Sequence, residues 1–389
     1  MAPNKNKQRR LKFYDAVGGG IANAGDITLM SQFWRYWKNP GQALANRGRL
    51  QAGAVVVMVA YLTLGGMYLG EGLYDVYTDY KGKKQKWDAK SVREKALAFK
   101  NDLDKLMQQR QSLVSASASG NQLAVLNTEG KVLSGIQELG LIEFSRLYID
   151  SRKKHTASDI TTIGTIAVCT TGAFIGALSV IKGLRDVNLK KVGGGGIGFL
   201  VSGGTLTAAP LLIHGGAAVT GKISKEKMQS ILANAENQTA ENLSRDVNQL
   251  SSLLAASGEG NDTESARVYK TIASIIEERQ AFLQKDKKDQ KKEMIESFIS
   301  YAARGGPQIG FGTMLCRAGY SYTTQPARAL RAVAQGATIN EVSWGVWLAD
   351  VLQKGVRNEA KFHAEAAKGS SAIYASDNTK LVQVEGAIK

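Results

Sequence analysis

The sequence predicts an all-α integral membrane protein with two to three transmembrane helices and two coiled-coil-like antiparallel helical hairpins. Three uncharged apolar runs, at residues 50–70, 160–181 and 192–221, carry most of this prediction. Runs of about 20 apolar residues are long enough to cross a hydrocarbon layer of ~30 Å as helices. The segments between the runs are polar and have helical periodicity. Many of the 42 glycines lie inside the apolar runs, which is more typical of membrane helices than of soluble ones.

The formal net charge of +16 indicates an anionic partner. The basic residues lie beside the apolar runs and not in one groove-like patch, so we expect a lipid bilayer to be that partner and expect no nucleic acid. Cys169 and Cys316 are far apart in the chain, and they predict neither a disulfide framework nor a metal site built on paired cysteines.

Residues 1–49 predict a basic juxtamembrane arm with an aromatic anchor. Phe33 and Tyr36 belong to an aromatic cluster that is interleaved with basic residues. Such a mixture settles at the level of the lipid head groups, with the rings at the boundary and the charges in water. A small soluble core is the alternative interpretation. The residues assigned to head-group contact are Trp34, Arg35, Trp37 and Lys38.

Residues 50–74 predict the first transmembrane helix, since no charge interrupts the run between Arg49 and Glu71. Gly66 and Gly70 form a GxxxG pair at the end of this run. Such a pair lets a second helix approach closely in lipid, so it is a candidate packing site, although glycines tolerated by chance explain one pair about as well.

Residues 85–150 predict the first helical hairpin. Its first helix carries a seam of apolar residues with steps of four and three, which Arg110 interrupts. The turn is predicted at SASASG, residues 115–120, and a second apolar series then indicates a returning helix. The seam consists of Val92, Ala96, Phe99, Leu103, Leu106 and Leu113.

Residues 160–221 predict a Gly-rich membrane hairpin. In its first run Gly164, Gly172 and Gly176 share one helix face and are candidate packing positions. The second run has glycines at both ends and Pro210 within it, so a continuous straight helix is doubtful and a broken or re-entrant segment is an alternative. Two or three spans both remain open, and the two-span version places fewer basic flanks outside the cytoplasm.

Residues 224–300 predict the second helical hairpin, with SGEGND as its turn and Asn261 and Glu264 spaced as a capping box.

Residues 301–389 predict a helical region and a flexible tail. Within it, the sequence RGGPQIGFG at 304–312 indicates a Gly-rich break, and Thr338 with Glu341 predicts the start of a helix whose apolar face is too short to span. Residues 369–389 are expected to be a loosely ordered tail.

The chemical motifs are weak. Residues 216–223, GAAVTGKI, copy part of a phosphate-binding loop, but Ile223 replaces the Ser or Thr that holds magnesium and no βαβ context surrounds them. The three histidines are isolated, and His214, which lies in an apolar run, is expected to hydrogen-bond to a neighbour. We therefore expect no enzymatic activity, no metal and no cofactor.

The expected function is that of a non-enzymatic structural or scaffold subunit of a membrane assembly. Its Gly-rich transmembrane helices would self-associate or bind other subunits of a membrane complex, and its amphipathic hairpins would bind partners. The alternative is a pore-forming or membrane-remodelling protein that inserts its Gly-rich hairpin into a target bilayer.

Overall fold

The computed structural model describes residues 5–86, 88–117, 120–156, 161–232, 239–256, 264–368, 377–380 and 382. The fold is all-α, with 95% of residues helical and no strand in this part of the chain. The helices are α1 (Lys5–Tyr36), α2 (Pro40–Ala45), α3 (Arg47–Lys84), α4 (Ala89–Ser117), α5 (Gly120–His155), α6 (Thr162–Arg185), α7 (Leu189–Leu232), α8 (Ala240–Ala256), α9 (Glu264–Cys316) and α10 (Pro326–Lys368), with a π-helical turn at Arg317–Ser321 between the last two.

Six helices pack side by side in a closed ring, in the order α1, α3, α6, α7, the second half of α9, and α10, which returns to α1. Each helix is antiparallel to both of its neighbours. The closing contact joins the two ends of the chain: Arg9 pairs with Glu359 at one end of α1, and the Trp34 Nε1–H donates to Thr338 Oγ1 at 2.9 Å near the other end. We call this assembly the ring.

Glycines let the backbones of the ring approach closely. A Cβ at Gly198 on α7 would lie 2.5 Å from the Gly172 carbonyl oxygen on α6. On the opposite side of α7, a Cβ at Gly196 would lie 2.5 Å from the Gly312 carbonyl oxygen on α9. Helix α7 therefore packs through small residues against two neighbours at once, the arrangement that holds helices together where no hydrophobic effect acts.

Two expected breaks are absent. Helix α7 is continuous over 44 residues with Pro210 inside it, so of the alternatives left open for the second run the continuous helix is the one observed. Helix α9 is continuous over 53 residues with Pro307 inside it, so the predicted break at 304–312 is wrong. In both helices some glycines face a neighbouring backbone, namely Gly196 and Gly203 on α7 and Gly305 and Gly312 on α9, and close packing there outweighs their low helix propensity.

Residues 5–36 run antiparallel along α3, with the Lys7–Asp75 ion pair at one end of the helix pair and Leu29 against Gly53 near the other. This differs from the predicted juxtamembrane arm, in which residues 1–49 lie together at one membrane surface. Three helices, α3, α6 and α7, are long and apolar enough to cross a membrane by length and composition.

A second, smaller core joins α5, α8 and the start of α9 outside the ring. The Tyr269 hydroxyl on α9 donates to Glu129 on α5 at 2.6 Å, and Arg279 lies against Glu143, so these two helices run parallel. Helix α4 attaches to α5 from outside. We call α4, α5, α8 and residues 264–281 of α9 the stalk. The buried apolar residues of this core are Val132, Leu139, Leu243, Val247, Leu250, Leu254 and Ile276.

Helices α4 and α5 form the predicted antiparallel pair, but the predicted seam does not join them. Phe99, Leu106 and Leu113 are 65%, 60% and 67% exposed. Helix α4 instead meets α5 through an adjacent, mixed face, on which Val114 is 6% exposed and Arg110 pairs with Glu129 and donates to the Leu126 carbonyl oxygen at 2.8 Å. Arg110, which interrupts the seam, is thus part of the contact with α5.

The C-terminal region differs from its prediction in two places. Helix α10 begins at Pro326, so Thr338 and Glu341 lie inside the helix and do not cap it. Most of the predicted tail lies outside the described residues, but Asp377 is 1% exposed and accepts a hydrogen bond from Arg279 Nε at 2.8 Å.

Candidate functional site

A cavity of about 210 Å³ lies inside the ring. All six ring helices contribute to its wall. Leu11 near the start of α1 and Thr162 at the start of α6 place it in the half of the ring nearest the stalk. The side chains that line it are Leu11, Asp15, Tyr61, Leu64, Tyr68, Thr162, Ile166, Cys169, Thr170, Leu206, Tyr301, Arg304, Gln308, Asn340, Ser343, Trp344 and Trp347.

One pair of opposite charges faces this cavity. Arg304 Nη2 lies 3.7 Å from Asp15 Oδ1, at the limit of an ion pair and beyond hydrogen-bond distance. The Asp15 carboxylate accepts a hydrogen bond from the Tyr68 hydroxyl at 2.8 Å. The guanidinium carbon of Arg304 lies 3.7 Å from the centre of the Trp347 ring, a cation–π contact that fixes the position of the charge.

Beside the cavity, a buried polar and aromatic layer fills the ring. The Gln308 Nε2 amide donates to the Tyr61 hydroxyl at 2.9 Å and to Ser202 Oγ at 2.8 Å. The Phe199 and Phe311 rings pack at 4.8 Å between centroids. Because this layer joins α3, α7 and α9, it ties three ring helices together on one wall of the cavity.

A second buried carboxylate lies behind the cavity wall. Asp26 on α1 is 0% exposed, and its Oδ2 accepts a hydrogen bond from the Asn340 amide at 2.5 Å. Its Oδ1 has no hydrogen-bond partner in the part of the chain that the structure describes. Buried polar groups without a partner are costly, and they concentrate at functional sites or at places where the fold requires one specific neighbour.

The polarity of α1, α9 and α10 is reversed relative to a soluble bundle. Asp15, Asp26, Arg304 and Asn340 point into the ring, whereas the exposed side of each helix is uncharged through the middle of the ring. These exposed residues are Phe13, Ala24, Ile27, Ser31 and Trp34 on α1; Ile295, Phe298, Ile299, Ala302, Gly306 and Thr313 on α9; and Ile339, Val342, Val346, Ala349 and Leu352 on α10.

The predicted packing glycines divide into two groups. Gly172 and Gly176 face α7, and a Cβ on them would lie 3.1 and 2.8 Å from carbonyl oxygens of that helix. Gly66, Gly70 and Gly164 face outward, with no described neighbouring atom within 4 Å of a Cβ there. The first group therefore packs inside the chain, and the second lies on the outer surface of α3 and α6.

The predicted head-group residues lie at the end of the ring that is remote from the stalk. Lys38 Nζ and the Arg331 guanidinium lie 5.5 and 5.2 Å from the centre of the Trp37 ring, and Trp34 packs edge-on against Trp37. Arg35 is exposed beside them.

This end of the ring is strongly basic. Within residues 35–49, 182–191 and 317–331, all of which the structure describes, eleven exposed cations face one acid, Asp186. Hydrogen bonds from Lys191 and Arg185 lower the pKa of Asp186 to about 2. We call the eleven the basic rim: Arg35, Lys38, Arg47, Arg49, Lys182, Arg185, Lys190, Lys191, Arg317, Arg328 and Arg331.

The weak chemical motifs find no site around them. Residues 216–223 lie inside α7, where the backbone N–H groups are used within the helix and do not form a phosphate-binding loop. His214 Nε2 is 3.0 Å from Ser297 Oγ, and its ring stacks on Phe298 at 5.7 Å. Among the described residues, no three His, Cys, Asp or Glu side chains come together to hold a metal ion.

Comparison with protein-family models, with curated proteins and with solved structures finds no match for this chain.

The cavity residues Asp15, Arg304 and Asn340 were not predicted as a site, because each is a single polar residue in a separate helix. A usable signal was present, since each is surrounded by apolar and small residues at helical spacing.

Proposed function

We propose that this chain is a six-span membrane protein and a non-enzymatic structural subunit that assembles with a second copy of itself through α4. The apolar stripe on α4 carries the proposal. Phe99, Leu106 and Leu113 repeat every seven residues and are exposed, while an adjacent face of the same helix is occupied by α5. An apolar heptad stripe of this kind is a coiled-coil contact surface.

The reversed polarity of α1, α9 and α10 supports six spans. Asp15, Asp26 and Arg304 point inward, and the exposed faces of these helices are uncharged. The outer surface of the ring is therefore better suited to contact with lipid hydrocarbon than with water. Helix α1 packs against α3, α9 packs against α7, and α10 packs against both α1 and α9. These contacts support the same depth for the three helices as for α3, α6 and α7, which are apolar enough to cross. The basic rim and its tryptophans suit contact with anionic head groups.

A second copy is the occupant that fits the stripe. In a parallel in-register pair, and in an antiparallel pair centred on Leu106, Leu106 faces the same residue of the other copy. Such a self-complementary contact is the usual basis of two-fold symmetric dimers. Outward-facing Gly66 and Gly70 on α3 offer a further close-packing surface at membrane depth.

The Gly-rich hairpin favours this anchored role over insertion into a target bilayer. Helix α6 packs on α3, and α7 packs on α9, so both arms of the hairpin have partners within the chain. Release of the hairpin for insertion would expose the close-packed backbone at Gly196, which lies against Gly312 on α9.

Cross-linking through an introduced cysteine tests the proposal. In a Cys316→Ser background, Leu106→Cys should form a disulfide between two copies in the membrane under mild oxidation. The matched control is Gln108→Cys, two residues away and also exposed, which should cross-link at least about tenfold less. Equal cross-linking at both positions, or none at Leu106, would contradict self-assembly through α4.

A triple substitution gives an independent measurement. Phe99→Ser, Leu106→Ser and Leu113→Ser together should convert the dimer in mild detergent to a monomer, measured as mass by light scattering. The control changes three exposed polar residues of the same helix, Asn101, Gln108 and Gln111, to Ser, and should leave the mass unchanged.

A further inference from the structure

The central cavity has a recognition chemistry that the proposed structural role does not use. Arg304 donates no hydrogen bond to any described residue, and its Nη2 lies 3.7 Å from Asp15 Oδ1. The five N–H groups of its guanidinium are therefore unused donors at the cavity wall. The Tyr301 hydroxyl, which lines the same cavity, also has no hydrogen-bond partner among the described residues.

The acidic partner of Arg304 is already satisfied by another group. Asp15 accepts a hydrogen bond from the Tyr68 hydroxyl, and it stays paired with that hydroxyl if Arg304 turns to a ligand. The face of the Trp347 ring, which would attract a cationic ligand, is covered by Arg304 itself. The group in the cavity that is free to bind a ligand is thus the positively charged guanidinium of Arg304 with its N–H donors. Such a group binds an oxyanion in preference to a cation.

The remaining wall sets the size and character of the ligand. A volume of 210 Å³ holds a molecule equivalent to roughly seven waters. Trp344, Leu64, Ile166 and Leu206 make the rest of the wall largely apolar. A small carboxylate with an apolar body matches both features, because its carboxylate reaches Arg304 and its body lies against the aromatic wall.

We propose that the cavity inside the ring binds a small organic carboxylate, with Arg304 as the residue that recognises the carboxylate group and Asp15 as its internal competitor. Binding replaces the long Asp15–Arg304 contact with a bidentate contact between guanidinium and carboxylate. The inference does not depend on assembly through α4, since every residue it uses lies within one copy of the ring.

The test uses the full-length protein in detergent, with benzoate as the probe and benzamide as its neutral analogue. Isothermal titration calorimetry should show saturable binding of benzoate and none of benzamide. Arg304→Gln should weaken benzoate binding at least about tenfold, because the charge-assisted pair is lost. Equal binding of the two probes, binding of inorganic phosphate without benzoate, absence of binding by any probe, or unchanged affinity in Arg304→Gln would overturn the proposal.

Asp15→Asn separates recognition from a merely structural ion pair. If Asp15 competes with the ligand, this variant should bind benzoate several-fold more tightly, because Arg304 is released. Weaker or unchanged binding would contradict the competition. If Arg304→Gln fails to fold with Asp15 left unpaired, the double variant Asp15→Asn/Arg304→Gln removes both charges together. The folded double variant should still fail to bind benzoate, and retained binding would overturn the role of Arg304.

Discussion

Gly198 illustrates how single residues set the distance between ring helices. The Cβ of an alanine there would lie 2.5 Å from the Gly172 carbonyl oxygen and 2.7 Å from the Gly176 backbone. Neither obstacle is a flexible side chain, so the two helices would have to separate. By contrast Gly204, six residues later on the same helix, has no described atom within 4 Å of a Cβ.

These two glycines give a matched prediction. Gly198→Ala should lower the stability of the ring by about 1–3 kcal/mol, the usual consequence of overpacking. Gly204→Ala should be neutral or stabilising by up to about 1 kcal/mol, because alanine is the better helix former. Thermal unfolding in detergent measures both, and equal destabilisation by the two variants would show that α6 and α7 are not in close contact.

The ion pairs of Arg279 and Lys380 differ in burial. We therefore expect neutralising the acid of each pair to change local stability by different amounts. Asp377 is 1% exposed and is bound by Arg279, whereas Lys380 and Glu278 are 30% and 51% exposed. Asp377→Asn should therefore accelerate amide hydrogen exchange in residues 377–380, since a neutral amide pairs less strongly with the guanidinium. Glu278→Gln serves as the control and should change exchange little, as exposed pairs contribute about 0–1 kcal/mol.

At the scale of elements, α10 decides whether the ring has three spans or six. Val342 and Val346 lie on its exposed face, with Trp344 and Trp347 buried on the opposite one. A valine on the surface of a soluble bundle tolerates replacement by a charge, whereas a valine in contact with hydrocarbon does not.

Val346→Asp should accordingly reduce folded protein in the membrane fraction severely, since an aspartate at the centre of a membrane helix costs about 2.5–3.5 kcal/mol. Gln353→Asp, seven residues along the same face and near the end of the ring, should be tolerated. If both variants accumulate like the unmodified protein, the outer face of α10 does not contact lipid.

The same helices show how far the sequence determines the fold. Helices α3, α6 and α7 were predictable because their uncharged runs extend around every face of the helix. Helices α1, α9 and α10 were not predictable as membrane helices. Mean hydropathy averages over all faces of a helix, so the charged residues Asp26, Arg304 and Glu341 lower the mean and hide the apolar outer face. The inward direction of those residues depends on partners such as Asn340, which lies 314 residues from Asp26 in the chain.

The predicted packing sites were recognisable to a similar degree. The spacing of Gly172 and Gly176 indicated a contact face, and both residues do face α7. Their partners Gly195 and Gly198 were part of a run interpreted as helix-weakening, because sequence alone does not separate a glycine that permits close approach from one that interrupts a helix.

At the scale of the whole molecule, the proposed six-span arrangement has the start of α1, the end of α10 and the stalk on one side of the membrane and the basic rim on the other. In this arrangement the rim lies in short connections, and basic residues also flank the helices on the stalk side, among them Lys81, Lys84, Lys222 and Lys227. Cations therefore face the head groups on both sides of the membrane.

Labelling of introduced cysteines by an impermeant reagent checks this topology. In a Cys316→Ser background, Lys105→Cys and Lys227→Cys should react from the same side of sealed vesicles. Thr323→Cys, which lies between α9 and α10, should stay unlabelled in the same sealed vesicles. It should react only after the vesicles are permeabilised. Labelling of Lys105→Cys and Lys227→Cys from opposite sides would rule out the six-helix arrangement.

The contact that closes the ring has a consequence for biosynthesis. Helix α1 leaves the ribosome first, yet the amide that binds Asp26 belongs to α10, the last helix of the ring to be made. In the proposed six-span arrangement, α1 carries a carboxylate without its partner until α10 is made. Because such a carboxylate is costly in hydrocarbon, we expect α1 to be stably integrated only late in synthesis.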